Sequence, residues 1–354
     1  MKQGLWIVIG LLTACIPAPE FPEADLCRKG LYAGVFVLNE GVWTQNNSTL
    51  SYYDEAQDFA RCPDVFAAVN QTPLGDTGNA HLLDGDTLYL VVNQSAIVYK
   101  LQMPDLQLLG ELRLPAGASP RQMAKISAEK AYLTSLTDGK LYRFDPRSMA
   151  LVGEPLAVEN HMEGIAIRGE RAFVACGNYA YPSSNNQLAV IDTRTDRLIQ
   201  YIELPEENPG FVLVEGKSIV VNCRGNYFLP DAPGSMLVWI DPVSLEVERS
   251  IPLGQYADDL ALLPGALLVA CDSAVMRISL EDFSLDRSYL PKARLTADPF
   301  DRLYSLAYDD LRGELYVSIA KTATNGFCMA FDPFLNPIRT FETGIFPGTI
   351  FFYR

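Results

Sequence analysis

From residue 34 onward the chain alternates short apolar runs with polar turns. Residues 172–205 show the plan most clearly. An apolar run (AFVAC) leads into a polar loop, a second run (QLAVID) ends on Asp192, and a third run alternates after a short turn. Runs rich in Val, Ile, Tyr and Phe, bounded by Asn, Ser, Pro and Asp, predict β-strands. The plan recurs at residues 88–115, 131–158, 219–254, 267–291 and 315–344, and loosely at 34–70, which makes seven copies.

The second run tends to end in Asp: Asp54, Asp145, Asp192, Asp241 and Asp332, three of them followed by Pro. Asp accepts backbone N–H groups in a turn and Pro presets its φ, so these residues are turn-formers rather than catalysts. Successive ones lie 47 or 49 residues apart, or 91 where a copy lacking the Asp intervenes, near Met103 and near Leu280. The mean period is about 46 residues, within the range of roughly 40–50 that marks propeller blades. The alternation lacks the helical periodicity of a TPR, ankyrin or HEAT array.

A short segment precedes each first run, at residues 79–84, 122–127, 164–168, 211–214, 260–263 and 304–308, and completes four strands per copy. Residues 348–354 have no run after them, and the first copy has no segment before it. The expected fold is therefore all-β: a seven-bladed β-propeller with four-stranded blades, the ring closed by the C-terminal strand joining the N-terminal blade. Such closure leaves no free sheet edge between first and last blades.

Composition narrows the function more than the fold. With 49% hydrophobic and 20% charged residues over 354 positions, the chain is ordinary for a globular protein, and a repeat fold absorbs that length in one domain. A formal net charge of −15 opposes phosphate backbones, so no nucleic-acid partner is expected. After residue 15 no stretch reaches the ~20 apolar residues of a membrane-spanning helix.

Lys2 and the apolar residues 5–12 read as an export signal, too short to span a bilayer stably. Leu12-Thr13-Ala14-Cys15 resembles a bacterial lipobox, where signal peptidase cuts before the Cys and its sulfur is acylated. The alternative is an apolar helix with an incidental Cys. Pro17, Pro19 and Pro22 keep the following tether extended. Glu20, Glu23 and Asp25 among them resemble the export signal of surface lipoproteins in Bacteroides-type bacteria. The expected organisation is a signal peptide over 1–14, lipidated Cys15 and tether over 15–30, and a single propeller domain over 31–354, held to the membrane by lipid alone.

Export places the chain where disulfides form. Cys176, Cys223 and Cys271 end the first run of three successive copies; equivalent positions on neighbouring repeats are too far apart to bridge, so these read as buried thiols. The expected bridge is Cys27–Cys62, stapling the tether to the first copy. No CxxC pair or His cluster supports a metal site.

Function usually lives on the loops of one propeller face. Residues 39–48 carry Trp43; residues 177–186 carry Asn178, Tyr179 and Tyr181; residues 224–235 carry Arg224, Asn226 and Tyr227. Asn93 and Arg121 complete the candidate ligand contacts, with His161 at the entry to the innermost strand of the fourth copy and His81 in the second. Aromatic rings with amides and an Arg suit an amide-rich or sugar-like ligand. The His residues admit a general base, a metal ligand or a cobalt ligand, or simply a hydrogen-bonded His at a blade junction. Glu163 and the pair Asp258-Asp259 occupy comparable places and are expected to pair with Arg121 or Arg302. GxSxG, HExxH, P-loop and Rossmann signatures are absent from the sequence.

The motifs FVAC, AYLTS, LYLVVN and LYVSIA, with QLAVIDTRT after the first, resemble the YVTN and YncE-like propeller repeats over residues 34–354. The leader, the opening GVFVLNEGVWTQNNSTLSYYD and Ser119-Pro120-Arg121-Gln122-Met123 are similar to surface propellers of Bacteroides-type bacteria. The BtuG-type branch of those lipoproteins captures cobalamin for a TonB-dependent transporter. That resemblance implies a cell-surface lipoprotein of the outer membrane, a bound corrinoid, no required cofactor and a TonB-dependent partner. Two other classes stay open: a structural or adhesive surface protein binding another protein or glycan, and a propeller-type lyase or hydrolase using His161 or His81 with a metal. The scarcity of His, at two residues, and the lack of a paired nucleophile and base favour a binding protein over an enzyme.

Overall fold

A computed structural model describes residues 33–56, 59–158, 161–177, 185–225, 234–322 and 324–354. Its strands form seven antiparallel sheets, six of them built inner to outer in chain order. Six sheets have four strands. In the third blade the outermost strand is split into two pieces, Ala150–Leu151 and Leu156–Ala157, across a turn in which Gly153 has φ +63°. The seven-bladed propeller predicted from the repeat is the fold observed. The first copy fits the pattern loosely because residues after its third run form a short helix, Val65–Asn70, N-capped by the Asp64 carboxylate.

The second strand of each blade is buried almost end to end, as in Thr87–Val92 and Ala266–Cys271, because both of its faces meet a neighbouring blade. Outermost strands such as Arg197–Glu203 are mostly exposed. The apolar core is consequently a ring. Among the described residues it divides into seven clusters, each shared by two adjacent blades. The Asp turns behave as expected: the carboxylates of Asp192 and Asp241 each accept two backbone N–H groups, from Arg194 and Thr195 and from Val243 and Ser244. In the sixth blade, which lacks the Asp, the Ser279 hydroxyl accepts Glu281 N and Asp282 N instead.

Cys176, Cys223, Cys271 and Cys328 are buried thiols that form no disulfide. Burial pushes the Cys271 thiol up to about 12, which keeps it protonated and unreactive. Cys62 is buried and disulfide-bonded; Cys27, its expected partner, lies outside the described residues, as does Cys15.

The C-terminal strand Pro347–Tyr353 pairs with Gly34–Asn39 and becomes the innermost strand of the first blade. Phe351 stacks on Phe36 with ring centroids 5.3 Å apart and on His81 at 4.4 Å. Beyond it Arg354 pairs with Asp309 of the seventh blade and Glu55 of the first. Glu55 also meets Arg312 and Arg339 at 3.5 and 3.3 Å, so one buried carboxylate gathers three cations at the seam. Deleting residues 351–354 removes the aromatic stack and leaves buried carboxylates short of a cation, each loss costing about 3–5 kcal/mol by itself. Calorimetry should show the truncated chain melting far below the parent or without cooperativity; a transition coincident with the parent's contradicts closure of the ring.

Candidate binding site at the channel mouth

Every innermost strand carries one residue too many. Register shifts against the second strand occur in all seven blades, at Gly348, Asn79, Arg121-Gln122, Glu163-Gly164, Gly210-Phe211, Asp258 and Tyr304. An extra residue in one strand kinks it and re-aims a side chain. Here all seven bulges lie at the same end of the channel, and the re-aimed residues line a cavity of about 510 Å³. Strands enter the channel from this end, so it is also the face carrying the loops after each second strand.

Two bulge positions are glycine for a shared reason. A side chain at Gly348 would lie 2.7 Å from Glu40 Oε1, and one at Gly210 would collide with the Arg224 guanidinium. Glu40 and Arg224 occupy equivalent places just past the aligned residues Asn39 and Cys223 at the ends of their second strands. Each reaches over the glycine of its own innermost strand and supplies the charge that the bulge residue supplies elsewhere. Gly164 has a different duty: a Cβ there would strike the backbone of Gly210 and Val212 in the next blade.

The polar groups of the mouth are held across blade boundaries. Arg121 Nε donates to Glu163 Oε2 at 2.8 Å, and Arg121 Nη1 donates to Asn79 Oδ1. Arg302 Nη2 donates to both oxygens of Asp258, at 2.9 and 2.8 Å. Tyr304 Oη donates to Glu40 Oε2 at 2.9 Å, whereas the Arg224 guanidinium stays within its own blade, 5.0 Å from the Phe211 ring centre. Burial pushes the Glu40 carboxyl up against the pull of Arg121, and pushes Asp258 up against that of Arg302.

Asp259 sits one residue deeper and is structural, its oxygens accepting Leu260 N and Leu306 N at 2.8 Å each. Burial pushes its pKa up to about 6. His81, half-buried on the channel wall against Phe351, is pushed down to about 4 by loss of solvent.

The candidates read from sequence fall into three groups. Arg121 and Arg224 line the cavity, while Trp43 stands 66% exposed on the same face, in a loop that Asp76 holds by accepting Thr44 N and Asn46 N at 3.2 Å. Asn93 and His161 do not line it. Asn93 is buried, its amide donating to Pro120 O at 2.9 Å and accepting from Ser119 Oγ at 3.0 Å, so both of its ends staple blade two to blade three. His161 lies in the turn entering Met162–Arg168 with φ +61°, its backbone bonded to Leu136 and Gly177. Asn178, Tyr179, Tyr181, Asn226 and Tyr227 lie outside the described residues. The sequence reading placed Glu163, Asp258 and Arg302 correctly as charge partners but omitted Glu40, Asn79, Tyr256 and Tyr304, all of which line the mouth.

The chain belongs to the family described as "Domain of unknown function (DUF5074)", whose model matches residues 33–275. No curated protein matches it in sequence. Its fold resembles a quinonprotein alcohol dehydrogenase-like protein from Bacteroides thetaiotaomicron, at 14% identity and a TM-score of 0.71 over 91% of this chain and 78% of the other. It also resembles apo AztD from Citrobacter koseri, at 10% identity and 0.58 over 91% and 98%, and Kuenenia stuttgartiensis hydrazine synthase, at 15% and 0.57 over 77% and 93%. Neighbours of such mixed function share an architecture and no single chemistry.

His81 and Asp259 pull stability in opposite directions with pH. The Asp259 carboxyl holds its proton more tightly folded than unfolded, so its contribution is full below 3.8 and lost as pH rises through about 6. The His81 ring is harder to protonate folded, so its contribution is full above 6.5 and lost as pH falls through about 4. Denaturant titrations between pH 4 and 6 should therefore show Asp259→Asn gaining on the parent as pH rises and His81→Gln losing ground, each by up to about 3 kcal/mol. Parallel profiles for parent and variants contradict these assignments.

Proposed function

We propose that this member of the family is an exported, lipid-anchored binding protein of the outer membrane that faces outward. It captures a small amide-rich ligand at the channel mouth, a corrinoid being the leading one, and hands it to a TonB-dependent transporter. The observation that carries the binding step is the mouth itself: a cavity of about 510 Å³ at the ring of seven bulges, lined by charged side chains from six of the blades. Pockets of roughly 300–1,000 Å³ with convergent polar groups are the usual form of small-ligand sites.

The placement of the charges favours binding over chemistry. The Glu40, Glu163 and Asp258 carboxylates are each engaged by a hydroxyl or guanidinium, an arrangement that holds them in place to orient a ligand. Trp43 and Phe300, 66% and 80% exposed, stand on loops of the same face and supply apolar surface for the ligand's outer parts or for the transporter. The lipobox-like Leu12-Thr13-Ala14-Cys15 supports the anchor, and the resemblance to BtuG-type propellers supports the corrinoid and the transporter.

Titration calorimetry with cyanocobalamin is expected to show one site per chain. Arg224→Ala and Trp43→Ala should each weaken it by about tenfold or more, a loss of roughly 1.4 kcal/mol. Absence of heat, together with no retention in equilibrium dialysis, removes the corrinoid from this reading.

A further inference from the structure

The charge pattern of the mouth says more about its occupant than its volume does. Round the ring, Glu40, Arg121, Glu163, Arg224, Asp258 and Arg302 alternate in sign, contributed in order by blades one, three, four, five, six and seven. Each of these six charges thus stands between two of the opposite sign, while Asp259, one residue deeper, is held by backbone N–H groups. A ligand that brought net charge would add one that no ring member is left to neutralise, in a site partly removed from water, where uncompensated charge costs most.

What the ring leaves unmet is a hydrogen bond. Glu163 is 5% exposed in its side chain, and its Oε2 receives Arg121. Its Oε1 is buried with no hydrogen-bond partner among the described residues. A buried acceptor left without a donor forfeits about 1–3 kcal/mol, and an N–H from a ligand would recover it. The next ring member, Arg224, carries a guanidinium whose five N–H donors suit a carbonyl oxygen. A primary amide carries both complements, an N–H donor and a carbonyl acceptor, on one uncharged group.

We infer that the channel mouth takes a primary carboxamide, its N–H donating to Glu163 Oε1 and its carbonyl accepting from Arg224. The inference rests on the mouth being a ligand site, as above, but not on that ligand being a corrinoid: the side arm of a large molecule and a free small amide present the same group.

Four four-carbon isosteres separate the alternatives: succinamide (uncharged), succinate (anionic), putrescine (cationic) and γ-aminobutyrate (zwitterionic). Each is added in turn at millimolar concentration to the intact protein, with thermal melting as the readout. Succinamide is expected to raise Tm while the other three leave it unchanged, and Glu163→Gln should reduce the binding constant derived from that rise by about threefold or more. A larger rise with any charged isostere, an undiminished succinamide effect in Glu163→Gln, or no rise with any of the four overturns the inference. Cyanocobalamin titration distinguishes the two levels. Its binding without succinamide discrimination keeps the corrinoid reading and removes this one, and succinamide binding without cyanocobalamin binding does the reverse.

Discussion

One extra residue at the mouth end of each innermost strand is the constraint on which the rest depends. A propeller must bring seven strands together around an axis without closing it. The bulges answer this by kinking each strand where it enters the channel. The residue freed from the ladder has nowhere to go but inward. Architecture therefore creates seven inward positions, and the sequence decides what fills them: an amide in blade two, charges in blades three, four and six, a phenol in blade seven, and glycine in blades one and five.

The two glycines show that the pattern of charge, not the identity of any one position, is what the chain preserves along its own repeats. Where the bulge residue is Gly348 or Gly210, the second strand delivers Glu40 or Arg224 into the same space. Alternation of sign survives the change of donor. At the far end of the same axis, the seam between first and last blades is held by a different buried network, around Glu55 and Arg354, that serves closure alone.

The fold was legible in the sequence because its signals are redundant. Alternating runs, Asp turns and a spare C-terminal strand each pointed to seven blades, so the loose first copy did no harm. The mouth was less legible for a specific reason. The expected innermost strands began at 122, 164, 211, 260 and 304, whereas they start at Pro120, Met162, Pro209, Ala257 and Arg302. A bulge breaks the period-two alternation, so a pattern search enters these strands within the bulge or just past it, and Arg121, Glu163, Asp258 and Arg302 fall outside the segments it finds. Glu40 was missed because it reads as a loop residue, although Gly348 opposite it was the available clue. Asn93 and His161 do not line this cavity; a polar residue at a strand end looks the same in sequence whether it faces a cavity or staples two blades.

Alternating charges in a half-closed cavity do not serve the fold well. Desolvation offsets much of what ion pairing returns, and uncharged replacements of similar shape are often neutral or stabilising. A ring kept for stability and a ring kept for binding thus differ in what neutralising it does. The direct test is equilibrium unfolding in denaturant of a variant carrying Glu40→Gln, Arg121→Met, Glu163→Gln, Arg224→Met, Asp258→Asn and Arg302→Met together. A ring maintained for a ligand predicts a midpoint equal to or above the parent's, with an unchanged slope. A midpoint lowered far enough that its shift times the slope amounts to several kcal/mol would show the ring to be a structural clamp and contradict the account.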